Sequence, residues 1–174
     1  GLLSLMLAQE NSTLEIDALE IDSLAAEQAT ENCRNSPWHA RIRVIQGDLK
    51  ETHFTHPYRY IVSNPPFYEN ELRSPDRIKN LAHHQEGLLL NDLLEILLQN
   101  LEPDGSFYLL LPFKRKTEIM VLLNQFGCHI STLVQVRQSP THDYFRLMLE
   151  AEFRKEKNEV TTFNELIIRN EHNE

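Results

Sequence analysis

Apolar and polar positions recur along the chain with two periods, and the switches between them mark its elements. Leu2, Leu5 and Met6 fall on one helical face just after Gly1. Leu14 to Leu19 reads as a short strand ending on Glu20. Ser23 is placed to cap a helix running to about Asn35, where Ser36-Pro37 stops it. Ile42 to Gln46 is a second strand, closed by Gly47-Asp48, and Tyr58 to Ser63 is a third. The third runs directly into Asn64-Pro65-Pro66-Phe67. From Tyr68 to about Gly87 the chain is polar and rich in charge and histidine, which predicts a long loop, functional or disordered. Asn91 is placed to cap a helix whose Leu94, Leu97, Leu98 and Leu101 follow the i, i+3, i+4, i+7 pattern. Pro103-Asp104-Gly105 predicts a turn into a strand from Ser106 to Leu111. Lys114 to Phe126 reads as a helix with Gly127 as its C′ residue. His129 to Val136 and Tyr144 to Phe153 are further strands, and Thr162 to Ile168 fits a last one.

Strands alternating with helices predict an α/β fold, a mostly parallel sheet with helices on both faces. The closing strands, with no helix between them, predict an antiparallel strand at the far edge. No repeat or low-complexity tract interrupts the order. Such sheets bind ligands at the carboxyl ends of their strands, so the strand ends are where chemistry is sought.

Composition narrows the class. The 174 residues are 41% hydrophobic and 25% charged, which suits a globular domain and excludes a fibre or a disordered tail. The longest apolar run, Ser106 to Phe113, is far short of the roughly 18 residues a membrane span needs. Gly1 to Ala8 is apolar but lacks the basic start of a signal peptide. Two cysteines, Cys33 and Cys128, have neither the number nor the spacing for zinc or a disulfide framework, and predict reduced thiols in a cytoplasmic protein. The chain opens without Met on what reads as a helix start, so a fragment is expected. A net charge of −9 argues against binding nucleic acid over the whole surface. After Phe113, however, nine basic and nine acidic residues cancel, and Lys114 to Lys116 fits a local basic face or a solvated helix equally well.

Three strand ends carry candidate chemistry. Glu20 lies 19 residues after Gly1, near the spacing at which an acid on the second strand of a dinucleotide-type fold takes ribose hydroxyls. It also fits a surface acid among Glu15, Asp17 and Asp22. Asp48 can accept from the exocyclic amine of a bound adenine, or can be an ordinary turn aspartate after Gly47. Asn64-Pro65-Pro66-Phe67 is the strongest signal. Two prolines fix φ and remove two donors, which alone would make a stiff turn. That leaves the preceding amide and the following ring unexplained, and amine chemistry explains both. A purine amine is a poor nucleophile because its lone pair is delocalised into the ring. The Asn64 side-chain oxygen and the Pro65 carbonyl can both accept from it, favouring a pyramidal nitrogen with the lone pair aimed at an electrophile. The prolines hold those acceptors rigid, and Phe67 offers a face on which the base stacks, worth roughly 1–3 kcal/mol. His83 and His84 lack the carboxylate or cysteine company of metal ligands and read as packing or RNA contacts.

With these residues the chain resembles the class I S-adenosylmethionine-dependent methyltransferases that modify exocyclic amines. Within them it is most similar to the bacterial enzymes that make N6-methyladenosine at adenine 37 of valine tRNA. The resemblance covers nearly the whole chain, through Gly-Leu-Leu-Ser-Leu-Met-Leu-Ala-Gln at 1–9, Ala-Leu-Glu-Ile-Asp at 18–22 and Glu-Asn at 31–32. It continues in Ser-Pro-Trp at 36–38, Gly-Asp at 47–48, Ser-Asn-Pro-Pro-Phe-Tyr at 63–68 and Leu-Ile-Ile-Arg at 166–169. It implies a Rossmann-like sheet of strand order 3-2-1-4-5-7-6 in one methyltransferase domain over 1–174. It implies S-adenosylmethionine as cofactor, held by Gly1, Glu20, Asp48 and Asn64, and a target adenine positioned by Asn64, Pro65, Pro66 and Phe67. The implied partner is tRNA, and the implied protein is a monomer with no metal and no membrane association.

The chain departs from the family in lacking the first strand and the Asp-x-Gly-x-Gly part of the cofactor loop, and Phe67 stands where a tyrosine is common. Family members usually extend past its C-terminus by a short helix. The missing strand belongs between the Leu14 and Tyr58 strands, so the chain by itself is expected to be poorly stable and to bind cofactor weakly. Rival readings are a guanine-N2 methyltransferase of ribosomal RNA and a protein-glutamine N5 methyltransferase, both meeting the same planar amine problem. Those enzymes usually carry a glycine-rich stretch after the motif, where this chain has only Gly87. A binding module that has lost catalysis is a further rival, disfavoured by the intact Asn64 to Phe67 string.

Overall fold

The computed structural model describes residues 1–65, 89–153 and 160–169. The expected loop from Tyr68 to Gly87, with Pro66, Phe67, His83 and His84, lies outside the described residues. The chain divides into two compact units, Gly1–Thr55 and His56–Glu174.

The first unit holds α1 (Leu2–Glu10), β1 (Ile16–Glu20), α2 (Ser23–Arg34), a 3-10 turn (His39–Arg41) and β2 (Ile42–Gln46). The two strands are parallel, with Ile16 opposite Ile42 and Glu20 opposite Gln46. Ala8, Cys33 and Ile42 are buried together, with Leu5, Ile16, Trp38 and Val44 packed around them. Arg41 ties the exit of α1 to the start of β1. Its guanidinium donates to the carbonyls of Ala8 (2.7 Å), Asn11 (3.0 Å) and Leu14 (2.8 Å). A cation is favoured there, because the last helical carbonyls lack intrahelical donors. The cap of α2 differs from expectation. Asp22, not Ser23, is the N-cap, its carboxylate accepting from the Ala25 N–H at 2.8 Å. The helix still ends where Ser36-Pro37 requires, with Asn35 as C-cap.

The second unit holds β3 (Tyr58–Ser63), α3 (Leu90–Gln99), β4 (Leu101–Pro112), a 3-10 turn (Phe113–Arg115) and α4 (Lys116–Gln125). It continues through β5 (Cys128–Arg137), β6 (Tyr144–Phe153) and β7 (Thr162–Ile167). These strands form one sheet in the order β3-β4-β6-β5-β7. Pairing is parallel at β3–β4 and β5–β7, and antiparallel on both sides of β6. An antiparallel strand was expected at the edge; β6 is antiparallel but lies inside, and β7 takes the edge. The run β3-β4-β6-β5 reproduces the 4-5-7-6 portion of the order implied by the resemblance. Alternation explains why β6 can lie there. Phe107, Leu109 and Leu111 of β4 and Leu147, Leu149 and Ala151 of β6 are all buried, so both strands present one apolar face. α3 packs on β4 and α4 on β5. On the other face Tyr108 donates to Glu150 across the β4–β6 pair (2.8 Å), and burial, then that carboxylate, push its hydroxyl up to about 12.

Two boundaries moved. Asn91 does not cap α3: Leu89 is the N-cap, and the Asn91 amide donates to Glu95 one turn on (2.9 Å). Leu101 belongs to β4, not to the helix. The expected turn at Pro103-Asp104-Gly105 lies within β4 as an irregularity. Tyr58 faces Leu101, yet Tyr60 faces Ser106, so the β4 backbone bulges between them. Gly105 permits this because a Cβ there would meet the Arg59 carbonyl oxygen at 2.9 Å and the Leu101 side chain at 2.8 Å. Backbone cannot swing aside as a side-chain end can. Gly105→Ala is therefore expected to destabilise the protein by about 1–3 kcal/mol in chemical denaturation. An unchanged midpoint would mean the bulge relaxes freely.

Candidate functional site

In the first unit the two candidate acids stand on neighbouring parallel strands. Glu20 is the last residue of β1, and the Gly47 N–H just past β2 donates to its backbone carbonyl (2.9 Å). Asp48 follows at once, so both carboxylates leave the carboxyl end of the same two-stranded sheet. Each is held from below. The Glu20 Oε1 accepts from the Asp22 N–H (3.1 Å), while Asp22 is itself fixed as the cap of α2. The Asp48 Oδ1 accepts from the Lys50 N–H (2.9 Å), and its carbonyl accepts from the Thr52 N–H (2.9 Å) and hydroxyl (2.6 Å). That turn needs a glycine in front of it, since a Cβ on Gly47 would lie 2.7 Å from the Thr52 hydroxyl oxygen. Both acids are half-buried and retain acceptor capacity beyond these bonds. Gly1 is the N-cap of α1 and supplies no side-chain cap.

Sequence reasoning singled out Glu20 and Asp48 but missed what orients them. Asp22 was read as one of several surface acids, although an Asp before a helix-forming run is itself an N-cap signal. Gly47 was read as a strand stop, and the steric demand of Thr52 five residues later is invisible without coordinates.

In the second unit Asn64 and Pro65 follow β3 at its carboxyl end, where Ser63 pairs with Leu109 of β4. Asn64 is exposed and Pro65 buried. Pro65 fixes its own φ and holds the backbone of the preceding Asn64 toward extended conformations, so the exposed amide leaves the strand end from a restricted backbone. At the same end of this sheet, Tyr144 donates to Glu165 (2.8 Å) and Arg137 donates to Glu165 (3.0 Å). The hydrogen bond to that carboxylate, then burial, raise the Tyr144 hydroxyl above its usual range. Among the described residues no group of three His, Cys, Asp or Glu side chains could hold a metal ion, and no helix is long and apolar enough to cross a membrane.

Comparison with known proteins agrees with this architecture. Solved structures of low sequence identity share the fold. A predicted O-methyltransferase from Agrobacterium tumefaciens superposes with a TM-score of 0.70 at 17% identity, covering 97% of this chain and 76% of that one. The hMettl16 catalytic domain, solved with an RNA hairpin, gives 0.64 at 16% identity over 92% of this chain and 63% of that one. Curated relatives are closer in sequence. A protein of Dyadobacter fermentans named tRNA1(Val) (adenine(37)-N6)-methyltransferase is 36% identical over 87% of this chain, and one of the same name from Parabacteroides distasonis is 39% identical over 86%. The chain spans 63% and 64% of the length of those two relatives. The methyltransferase small domain matches residues 1–128, which takes in α1, both acid-bearing strand ends and the Asn64-Pro65 turn. With the α/β architecture of a class I methyltransferase and that match over most of its length, the chain belongs to the methyltransferase small domain family.

Proposed function

We propose that residues 1–174 are part of a single methyltransferase domain, in a cytoplasmic protein that methylates the exocyclic N6 amine of adenine 37 in valine tRNA. The observation that carries this reading is Asn64-Pro65 at the carboxyl end of β3, an exposed amide set on a buried proline. The names of the relatives support the choice of adenine in tRNA.

The residues of the first unit fit S-adenosylmethionine as cofactor. Glu20 and Asp48 supply two carboxylates at adjacent strand ends, suited to the paired hydroxyls of a ribose and to an adenine amine. Gly47 leaves room for the backbone turn that carries Asp48. Bound there, the cofactor supplies a methyl group on a positively charged sulfur. The work of this chain's own residues is positional. The Asn64 oxygen and the Pro65 carbonyl accept from the target NH₂, so that its nitrogen becomes pyramidal and its lone pair is freed from the ring. Pro66 and Phe67 complete the motif, with Phe67 assigned to stacking the base. The proton shed by the amine passes to solvent.

Nucleoside mass spectrometry tests the reaction. The complete reading frame is incubated with S-adenosylmethionine and unmodified bulk tRNA. N6-methyladenosine is expected to rise. N2-methylguanosine, or no methylated nucleoside at all, would replace this reading with one of its rivals.

A further inference from the structure

Basic residues are unevenly placed on the five-stranded sheet of the second unit. Beyond Asn64, three segments leave or enter the sheet at its carboxyl end: 112–116 after β4, 137–146 between β5 and β6, and 167–169 after β7. They carry Lys114, Arg115, Lys116, Arg137, Arg146 and Arg169 against a single acid, Asp143. Two further acids at this end are engaged by these cations, Glu118 by Arg115 (3.2 Å) and Glu165 by Arg137 (3.0 Å). At the amino end the described residues include Glu102, Asp104 and Glu152, and Arg59 there faces Glu102 at 3.9 Å. In a chain of net charge −9, the positive charge of this unit's described residues is gathered at the strand ends that include Asn64.

Strand register joins these residues into one rim. Arg146 lies opposite Pro112 on one side and Val136 on the other. Tyr144 lies opposite Arg137, and the Arg169 N–H donates to the Gln138 carbonyl (2.9 Å). Two rings sit in the middle. Phe113 and Tyr144 have centroids 5.1 Å apart, tilted by 39°. The Lys116 ammonium is 5.7 Å from the Phe113 ring and donates to Gln135 (2.9 Å). The Arg137 guanidinium is 5.6 Å from the Tyr144 ring and donates to the Pro140 carbonyl (2.7 Å). Lys116 and Arg137 are thus fixed around the ring pair; Lys114, Arg146 and Arg169 are exposed, and the Arg146 guanidinium lies 5.6 Å from the Phe145 ring.

We propose that this rim docks the RNA substrate, with Lys114, Arg146 and Arg169 on backbone phosphates and the Phe113–Tyr144 pair facing an unpaired base. The assignment rests on the RNA-methylation reading above and names the surface that reading lacks. An acidic protein gains affinity for a polyanion only where cations are concentrated enough to displace condensed counterions. Cations interleaved with rings are what a single-stranded loop requires, phosphate by phosphate and base by base. A protein-glutamine substrate carries no such regular charge and draws nothing from a row of cations.

The test uses the complete protein and unmodified tRNA in a binding titration over a salt series, beside steady-state methylation. The combined Lys114→Gln, Arg146→Gln and Arg169→Gln variant is expected to bind tRNA roughly tenfold or more weakly, with a log–log salt slope shallower by about 2–3. KM for tRNA rises by a similar factor, while kcat at saturating tRNA and affinity for S-adenosylmethionine stay at wild-type values. Arg59→Gln, at the opposite end of the sheet, leaves tRNA binding unchanged. The single Arg169→Glu variant, checked by its melting temperature, gives the same direction of effect with less risk to folding. Wild-type protein that methylates tRNA, together with a combined variant of unchanged affinity and slope, overturns the rim and leaves the reaction standing. Wild-type protein that neither binds nor methylates tRNA overturns both.

Discussion

Asn64→Ala is expected to lower single-turnover methyl transfer by about 10²- to 10³-fold while affinity for S-adenosylmethionine stays near wild type. The size follows from what the residue is proposed to do. A positioned acceptor matters most when the amine nitrogen becomes pyramidal and its hydrogens gain positive charge, so its loss falls on the reaction step and much less on binding. Its placement suits that role. Asn64 leaves β3 at the carboxyl end with its side chain exposed, and the buried Pro65 after it restricts its backbone. Rapid-quench methylation and calorimetric titration of the cofactor separate the two quantities. A loss confined to cofactor affinity would leave Asn64 only the cofactor role that the resemblance also implies, and near-wild-type turnover would remove it from the reaction.

The fold was legible where local chemistry and packing agree. The 3.6-residue pattern through Leu94 and Leu97 marks a buried face and the apolar run from Ser106 to Leu111 marks a strand, and Leu94, Leu97, Phe107, Leu109 and Leu111 are buried in the structure. Legibility failed where two local signals compete. Asp22 and Ser23 are both good caps, and the Asp carboxylate reaches the Ala25 N–H. Pro103-Asp104-Gly105 has the composition of a turn, but pairing of Leu101 with Tyr58 extends the strand across it and turns it into a bulge. The interior position of β6 is a matter of topology, which no single segment encodes; sequence order alone favoured the edge. The candidate site was read in the same uneven way. Residue type and spacing singled out Glu20, Asp48 and Asn64, because carboxylates and an amide at strand ends are chemically specific. Their supports, Gly47 against Thr52 and Asp22 against Glu20, are local turn contacts of about 3 Å, set by backbone geometry rather than by residue type. The rim around Phe113 and Tyr144 joins segments 31 residues apart in sequence, so only Lys114 to Lys116 was visible in advance.

Glu20→Ala is expected to weaken S-adenosylmethionine binding by about 10- to 100-fold, the effect of losing charge-assisted hydrogen bonds worth roughly 1.5–3 kcal/mol. Glu20→Gln keeps one acceptor oxygen and loses the charge, so it should fall between the wild type and the alanine variant. Stability is a separate matter. Glu20 is half-buried and its described side-chain bond is to the Asp22 N–H, so the melting temperature should move little. Asp22→Ala provides the contrast. It removes the cap of α2 at a cost of about 1 kcal/mol and frees the residue that holds Glu20 in place. Its melting temperature should fall, and its cofactor affinity should drop by less than that of Glu20→Ala, because the carboxylate remains but is less fixed. Equal affinity losses in the two variants would mean that the cap, not the carboxylate, organises the site. Unchanged affinity in Glu20→Ala would return Glu20 to the group of surface acids with Glu15 and leave Asp48 as the acid to test for contact with the cofactor.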